Sequence, residues 1–171
     1  MRIHVTPYSR VAGVVVDAGA DRLVSLMSPG IDVERPATIA PPDHLLLTMH
    51  DISEERAGFT SPGEEHIVSL LDFARDSRNH GAMVIHCLAG ISRSTAAAVL
   101  IAAALMPDRD EADLARQLRQ RSPTASPNRR MIALGDRLLA REGRLSRAIE
   151  DIGRGTEAFE GVPFWLEVGD A

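Results

Sequence analysis

The chain has 171 residues, of which 44% are hydrophobic and 25% charged, and this composition predicts one globular domain over residues 1–171. Its formal net charge is −5 and it contains no dense block of lysine and arginine, so we expect no binding to nucleic acid. The longest apolar run, residues 95–106, is too short to span a membrane, which takes about 20 residues.

The number of cysteines indicates the cellular compartment in which the protein is expected to occur. A single cysteine cannot form an internal disulfide, which is typical of the reducing cytoplasm and leaves the thiol free. The N-terminal sequence MRIHVTPYSR contains no apolar stretch of the kind found in signal peptides. We therefore expect a cytoplasmic protein.

The N-terminal part of the chain predicts an extended segment, a helix, a strand and a long loop. Residues 3–9 (IHVTPYS) predict the extended segment. Residues 10–20 (RVAGVVVDAGA) are compatible with a helix or a strand, and we favour a helix because residues 21–28 (DRLVSLMS) follow at once as a better strand. From Pro29 to Asp43, four prolines and a glycine indicate the loop.

The next segment predicts a strand, a surface loop and a helix. The short apolar run HLLLTM at 44–49 predicts a buried strand, and the polar residues 50–63 predict the loop. Ser61 followed by Pro62 is typical of an N-cap with proline at the first helical position, so we expect a helix over 62–79. Its apolar stripe consists of Ile67, Leu70, Leu71 and Ala74.

The central segment predicts a strand and two helices. Residues 81–87 (GAMVIHC) predict a strand that ends at the cysteine. A helix starts near Ser92 and ends before Pro107. Asp110 is placed to cap a further helix that runs to about Gln120.

The C-terminal part is less regular. Ser126 and Pro127 repeat the cap signal and open a helix over 128–143. The tail, residues 144–171, has no single interpretation: part of it fits a helix, and VPFWLEV fits an extended segment that docks on the rest. Strands that alternate with helices predict an α/β fold with a mostly parallel central sheet.

The chemistry of the sequence is concentrated after the strand that ends at Cys87. The loop LAGIS leads from this cysteine directly into a helix, whose first turn supplies partial positive charge and free N–H groups that stabilise a thiolate. Successive amides in such a loop can surround a tetrahedral anion, and Gly90 permits the close approach that a side chain would block. Arg93 adds a planar fork that binds two oxygens of a phosphoryl group.

These features together predict a site in which the Cys87 thiolate attacks the phosphorus of a bound phosphoryl group. We name residues 88–92 the anion loop. The predicted phosphate-binding residues are those of the anion loop and its arginine: Leu88, Ala89, Gly90, Ile91, Ser92 and Arg93.

The sequence HCLAGISRS at 86–94 resembles the active-site signature of the cysteine-dependent protein tyrosine phosphatases, which is His-Cys-five residues-Arg-Ser/Thr. Its ending, AGISRS, is most similar to the dual-specificity branch. The resemblance covers about 22–142 and includes SPTASPN at 122–128, which is similar to the helix start of that branch. It implies a three-layer phosphatase-type α/β domain, and residues 1–20 and 144–171 add nothing to it.

The resemblance also implies roles for the neighbours of Cys87. In that family the histidine before the cysteine orients it and favours its ionisation through hydrogen bonds, which implies this role for His86. The serine after the arginine steadies the thiolate as it leaves, which implies this role for Ser94. Asn128 is interpreted as a structural residue at a helix start.

A phosphatase of this kind needs an acid that protonates the leaving group. The family takes an aspartate from a loop after an earlier strand, some three dozen residues before the cysteine, and Asp51 stands at that position. MHD replaces the Trp-Pro-Asp of the large tyrosine-specific members, which implies the less mobile loop of the dual-specificity branch. The rival acids are the glutamates nearby in sequence: Glu54, Glu55, Glu64 and Glu65.

We therefore predict a phosphomonoester hydrolase with a cysteinyl-phosphate intermediate, which requires no metal and no organic cofactor. The remaining histidines show no metal-ligand spacing: His4, His44, His50, His66 and His80. With only 4% aromatic residues to line a deep cleft, we expect a shallow site for phosphotyrosine and phosphoserine or phosphothreonine in proteins.

Several alternatives stay open. A small phosphorylated metabolite is one other substrate, and a phosphoinositide ranks lower because the anion loop lacks extra basic residues. An inactive phosphate-binding module is disfavoured because Cys87, Arg93 and Asp51 are all present. Sulfur transfer or arsenate reduction is disfavoured because the cysteine is central and has no second cysteine beside it. The oligomeric state is not predicted.

Overall fold

The structure is a computed structural model that describes residues 1–76 and 81–169. The strands in this part of the chain are β1 (Arg2–Pro7), β2 (Arg22–Met27), β3 (His44–Thr48), β4 (Met83–Cys87) and β5 (Phe164–Glu167). The helices described are α1 (Val11–Ala18), α2 (Glu64–Arg75), α3 (Arg93–Leu105), α4 (Glu111–Arg121), α5 (Arg129–Leu138) and α6 (Arg144–Asp151).

The strands form one sheet with the order β3-β2-β4-β1-β5. β4 pairs in parallel with β1 and β2, β2 pairs in parallel with β3, and β5 runs antiparallel to β1 at one edge. Because helices cover both faces, the central strands β2 and β4 are buried at every residue. The predicted α/β fold with a mostly parallel central sheet is confirmed.

The sheet separates two apolar cores. Successive residues of a strand point to opposite faces, so Val84 belongs to the smaller core beneath α1, with Val11 and Val15. Ile85, the next residue of β4, belongs to the larger core that α2 to α6 cover. The cysteine that ends β4 therefore stands on a strand that is packed on both faces.

α3 is the central helix of the larger core and is buried from Arg93 to Ala103. Its alanine-rich sequence lets neighbouring elements approach closely, and α5 comes so near that a Cβ at Gly135 would force the Leu100 side chain to move. The apolar run at 95–106 is thus a core helix, as predicted. Within the described residues, no helix is both long and apolar enough to cross a membrane.

The prediction of a buried strand at 44–49 is wrong in one respect. β3 forms as predicted, but it lies at the edge of the sheet, and Leu46 is 48% exposed. A short apolar run cannot by itself distinguish a central strand from an edge strand that is covered on one face only.

The prediction for α2 is wrong at its start. The N-cap is Gly63 and not Ser61, and its amide donates a hydrogen bond to Nδ1 of His66 at 2.9 Å. The predicted apolar stripe is confirmed, because all four of its residues are buried. The helix also ends earlier than predicted, at Arg75, because Asp76 is extended, and residues 77–79 of the prediction lie outside the described residues.

The prediction for α5 is wrong in its capping residue and at its C-terminal end. The N-cap is Asn128 and not Ser126, and the Oδ1 atom of Asn128 accepts a hydrogen bond from the Met131 amide at 3.1 Å. The helix ends at Leu138 rather than at 143. Ala140 and Glu142 have φ angles of 53°, which a right-handed helix does not allow.

The tail contains both kinds of structure that its segments predicted. α6 packs in the larger core through Leu145, and β5 extends the sheet with Leu166 opposite Ile3 of β1. The N-terminal amine of Met1 also donates to the carbonyl oxygen of Val168 at 2.8 Å. The connection between α6 and β5 passes the end of β4, where the predicted site lies.

Candidate active site

The anion loop joins the end of β4 to the start of α3, as predicted, at the edge where the parallel strands end. Gly90 has a φ of +69°, and a Cβ added there would lie 2.6 Å from the Pro7 nitrogen and 2.8 Å from the Thr6 carbonyl carbon. Only glycine fits this position, because the backbone conformation and the contact with β1 both exclude a side chain.

The carbonyl groups of the anion loop point away from its centre. Four of them accept hydrogen bonds from backbone amides outside the loop: Leu88 from Tyr8 at 3.1 Å, Ala89 from Gly161 at 2.8 Å, Ile91 from Ser126 at 3.0 Å and Ser92 from Asn128 at 3.3 Å. By contrast, no amide of residues 89–93 donates a hydrogen bond to another group in residues 1–76 or 81–169. A row of unengaged amides at a helix start can bind an anion.

Cys87 lies at the base of this loop as a free thiol that is only 2% exposed. Its Sγ atom is 3.1 Å from Oγ of Ser94, which lies in the first turn of α3 and is fully buried. The serine hydroxyl is therefore placed to donate a hydrogen bond to a thiolate at this position.

Arg93 is anchored by one side of its guanidinium. Nη1 donates to the carbonyl oxygen of Met49 at 2.7 Å and to Oγ of Ser28 at 3.3 Å, beyond the ends of β3 and β2. The side chain is 4% exposed, yet its Nε has no hydrogen-bond partner in the part of the chain that the structure describes. A buried donor without a partner lowers the stability of the fold by about 1–3 kcal/mol. A bound acceptor such as a phosphoryl oxygen would therefore bind favourably to Nε.

Asp51 meets the anion loop from the other side. Its Oδ1 atom accepts hydrogen bonds from Oγ of Ser92 at 2.7 Å and from Nδ2 of Asn128 at 2.8 Å. Asn128 therefore caps α5, as expected for a structural residue at a helix start. It also positions Asp51, and the sequence did not predict this second contact.

Two of the rival glutamates, Glu55 and Glu64, form ion pairs elsewhere. Glu55 forms an ion pair with Arg130 at 2.9 Å, and Glu64 forms one with Arg137 at 2.6 Å. Neither carboxylate contacts the anion loop in the hydrogen bonds of the described residues. Asp51 is thus the acid that the structure brings to Ser92.

His86 is fully buried on β4, next to the cysteine. Burial lowers the pKa of His86 to about 4, so its imidazole is neutral at pH 7. Its ring stacks on Tyr8 with 5.3 Å between centroids, and its Nε2 lies 2.6 Å from Oγ of Ser25. Ser25 lies in turn 2.8 Å from Nε2 of His44.

Ser25 and His44 are site neighbours that the sequence did not identify. Ser25, in the middle of the apolar strand predicted over DRLVSLMS, was a usable signal, because a buried hydroxyl needs a partner. His44 carried no such signal, since its approach to β2 follows from the order of the strands in the sheet.

The C-terminal segment 153–161 is a second feature that the sequence did not predict. The Gly161 amide donates to the Ala89 carbonyl of the anion loop, and a Cβ at Gly161 would lie 2.9 Å from the Gly90 oxygen. The segment also forms one side of a cavity of about 910 Å³ that adjoins the anion loop. Arg154 and Phe159 line the cavity from this segment. The residues that line its other side include Asp51, Ser92, Asn128 and Arg129.

Sequence comparison gives no match to a protein-family model or to a curated protein. Solved structures are nevertheless similar over most of the chain. DUSP15 has a TM-score of 0.65 at 18% identity, over 87% of this chain and 90% of its own. The PTP-2 phosphatase of Cydia pomonella has a TM-score of 0.61 at 18% identity, over 77% and 82% of the two chains. Human DUSP28 has a TM-score of 0.59 at 18% identity, over 82% and 92%.

The chain therefore has the fold of the dual-specificity branch of the cysteine-dependent phosphatases, which is the fold that its HCLAGISRS motif implied.

Proposed function

We propose that the protein is a phosphomonoester hydrolase that acts through a cysteinyl-phosphate intermediate, as a protein tyrosine or dual-specificity phosphatase. The observation that carries this proposal is the set of unengaged donors around Cys87. The amides of residues 89–93 and the Nε of Arg93 have no acceptor in the described chain, and they belong to the loop and helix start that directly follow Cys87. The fold shared with DUSP15 and human DUSP28 supports the same conclusion.

In the first step, the Cys87 thiolate attacks phosphorus in line with the ester oxygen. A sulfur–phosphorus bond forms, the phosphorus–oxygen bond to the leaving group breaks, and Asp51 gives the leaving oxygen a proton. Arg93 and the loop amides bind the three non-bridging oxygens, whose charge they stabilise in the transition state.

In the second step, a water molecule attacks phosphorus and Asp51, now a carboxylate, accepts its proton. The sulfur–phosphorus bond breaks and Cys87 leaves as a thiolate, to which the hydroxyl of Ser94 donates a hydrogen bond at the observed 3.1 Å. The cycle needs no metal and no organic cofactor, since every proton and every charge has a partner among these residues.

The surface around the site favours a phosphorylated side chain on a protein. Leu88 of the anion loop is 53% exposed and Phe159 of the C-terminal segment is 93% exposed, so apolar contacts are available at the rim. The adjoining cavity of about 910 Å³ is lined by Ser92 and Phe159 and not by Cys87, which leaves room beside the phosphate site for a neighbouring residue of a peptide. A small phosphorylated metabolite is the second candidate, because the site has no contact that demands a polypeptide.

A lone thiol favours a reducing compartment, the cytoplasm.

A turnover assay tests the proposal. The protein and its Cys87→Ser variant are incubated with phosphotyrosine and phosphoserine peptides, with a phosphoinositide and with p-nitrophenyl phosphate, and released phosphate is measured. We expect turnover of the phosphotyrosine peptide and p-nitrophenyl phosphate by the wild type and none by Cys87→Ser. Binding of phosphate without turnover of any substrate would instead identify an inactive phosphate-binding module.

A further inference from the structure

His50, the residue before Asp51, is bonded to Thr60 at the far end of the same surface loop. The His50 amide donates to the Thr60 carbonyl oxygen at 2.7 Å, and the Thr60 amide donates to Nδ1 of the His50 ring at 2.9 Å. A backbone amide can only donate a hydrogen bond, so Nδ1 is the acceptor and carries no proton. We name residues 50–60, which include Asp51, the acid loop. The two hydrogen bonds between His50 and Thr60 close its base.

The backbone on both sides of Asp51 is also fixed. The Ile52 amide donates to the His50 carbonyl oxygen at 3.0 Å, which makes Asp51 the central residue of a three-residue turn. Before this turn, the Met49 amide donates to the carbonyl oxygen of Met27, the last residue of β2, at 2.8 Å. The direction in which the Asp51 side chain leaves the backbone therefore depends on the conformation of His50.

The far end of the acid loop is anchored to α5. Pro62, two residues after Thr60, is buried, and its carbonyl oxygen accepts a hydrogen bond from Nε of Arg130 at 2.7 Å. Because Arg130 belongs to α5, the chain at Thr60 continues into a segment that is held by the core of the protein. His50 joins the start of the acid loop to this anchored end.

We propose that His50 is a positioning residue that holds the turn at Asp51 through its ring Nδ1. The imidazole accepts one hydrogen bond and transfers no proton, and its effect is to keep the carboxyl group of Asp51 beside Ser92 of the anion loop, at 2.7 Å. Phe59 packs edge-on against the ring with 4.7 Å between centroids, which helps to keep Nδ1 turned toward Thr60. The proposal rests on the proposed function, because the position of Asp51 matters to catalysis only if Asp51 is the acid.

Two variants with side chains of the same shape isolate the acceptor. In His50→Asn, Oδ1 can take the place of Nδ1, whereas His50→Leu has a methyl group there and cannot accept a hydrogen bond. Both variants lose the rest of the ring equally, so only the hydrogen bond to Thr60 differs between them. His50 belongs to neither apolar core of the described residues, so we expect both variants to fold. If His50→Leu does not fold, His50→Ala takes its place.

The kinetic test compares two substrates. Phenyl phosphate has a leaving group that needs a proton, and dinitrophenyl phosphate has one that is already stable as an anion. We expect His50→Leu to lower kcat/KM for phenyl phosphate about fivefold, as for the loss of one hydrogen bond, and to leave dinitrophenyl phosphate unaffected. His50→Asn should remain close to the wild type with both substrates. Unchanged rates in His50→Leu, equal slowing of the two substrates, or equal slowing by the two variants would each overturn the proposal.

Amide hydrogen exchange of Thr60 gives a second measurement that does not depend on turnover. We expect slow exchange in the wild type and in His50→Asn, and several-fold faster exchange in His50→Leu. The same exchange rate in all three proteins would show that Nδ1 does not hold the loop, and would overturn the proposal. If the wild type shows the expected exchange but hydrolyses neither ester, the proposed function fails, and the positioning role fails with it, while the contact between His50 and Thr60 remains.

Discussion

The Oδ1 atom of Asp51 accepts a hydrogen bond from the hydroxyl of Ser92 at 2.7 Å, so the predicted acid is in direct contact with the anion loop. The same oxygen accepts a second hydrogen bond from Asn128 at 2.8 Å. Because Oδ1 accepts both bonds, a proton on the carboxyl group is carried by Oδ2. One side chain thus connects the surface loop after β3, the anion loop and the start of α5.

Replacement of Asp51 by asparagine tests its role as the acid. A general acid contributes about 10²–10⁴-fold when the leaving group is poor, so Asp51→Asn should slow phenyl phosphate or phosphotyrosine hydrolysis by about that factor. It should barely slow a substrate whose leaving group is already stable as an anion. Steady-state rates across a series of aryl phosphates give the comparison. Equal slowing of all members would show that Asp51 supports the loop and is not the acid.

Two substitutions of Asn128 separate its two contacts. Asn128→Ser retains a capping oxygen for α5, whereas Asn128→Ala removes it and should lower the free energy of unfolding by about 0.5–2 kcal/mol. Both substitutions remove the side-chain amide that donates to Asp51. Loss of a hydrogen bond of about 1 kcal/mol should reduce kcat/KM for a substrate with a poor leaving group about fivefold. Urea denaturation and kinetics of both variants are the measurements. Full activity in Asn128→Ser would mean that the contact with Asp51 is incidental.

Gly161 tests whether the C-terminal segment supports the anion loop. A Cβ in Gly161→Ala would lie 2.9 Å from the Gly90 oxygen, so the loop must move to accommodate it. Displacement of reacting groups by 1 Å can cost 10²-fold, and a smaller shift should lower kcat/KM about tenfold. Gly13→Ala is the control, since a Cβ there has no neighbour within 4 Å and alanine favours the helix. Equal activity of the two variants would show that the loop does not depend on residue 161.

The low pKa of His86 predicts a loss of stability in acid. The folded protein binds a proton at His86 only near pH 4, whereas the unfolded chain binds it near pH 6.5, so stability is full above pH 6.5 and decreases as the pH falls toward 4. The free energy of unfolding should be about 2 kcal/mol lower at pH 5 than at pH 8 from this residue. Urea denaturation across this range measures the slope. His86→Gln should flatten it, and an unchanged slope in that variant would assign the effect to other groups.

The parts of the site that are contiguous in sequence could be predicted, and those that depend on strand order could not. Residues 86–94 form a strand end, a loop and a helix start from local signals alone, so their arrangement was predictable. His44 reaches Ser25 only because β3 lies beside β2 in the sheet, and no pattern near His44 specifies that neighbour.

The ends of helices were predicted less well, for a local reason. Both Ser-Pro pairs suggested caps, but the side chain that accepts the hydrogen bond in α5 is Asn128, and the residue that precedes α2 is Gly63. Several residues that can cap a helix lie within a few positions of each other. Packing, and not the local sequence alone, determines which of them becomes the N-cap. The approach of Gly161 to the anion loop likewise follows from the pairing of β5 with β1.

The most direct test of the account is the detection of a phosphoryl group on Cys87 during turnover. The protein is mixed with p-nitrophenyl phosphate, quenched in acid within the first turnovers and digested, and the peptide that contains Cys87 is analysed by mass spectrometry. We predict one phosphoryl group on Cys87, in a larger amount in Ser94→Ala, where the thiolate leaves less readily. Steady release of phosphate with Cys87 unmodified, and undiminished in Cys87→Ser, would contradict the account.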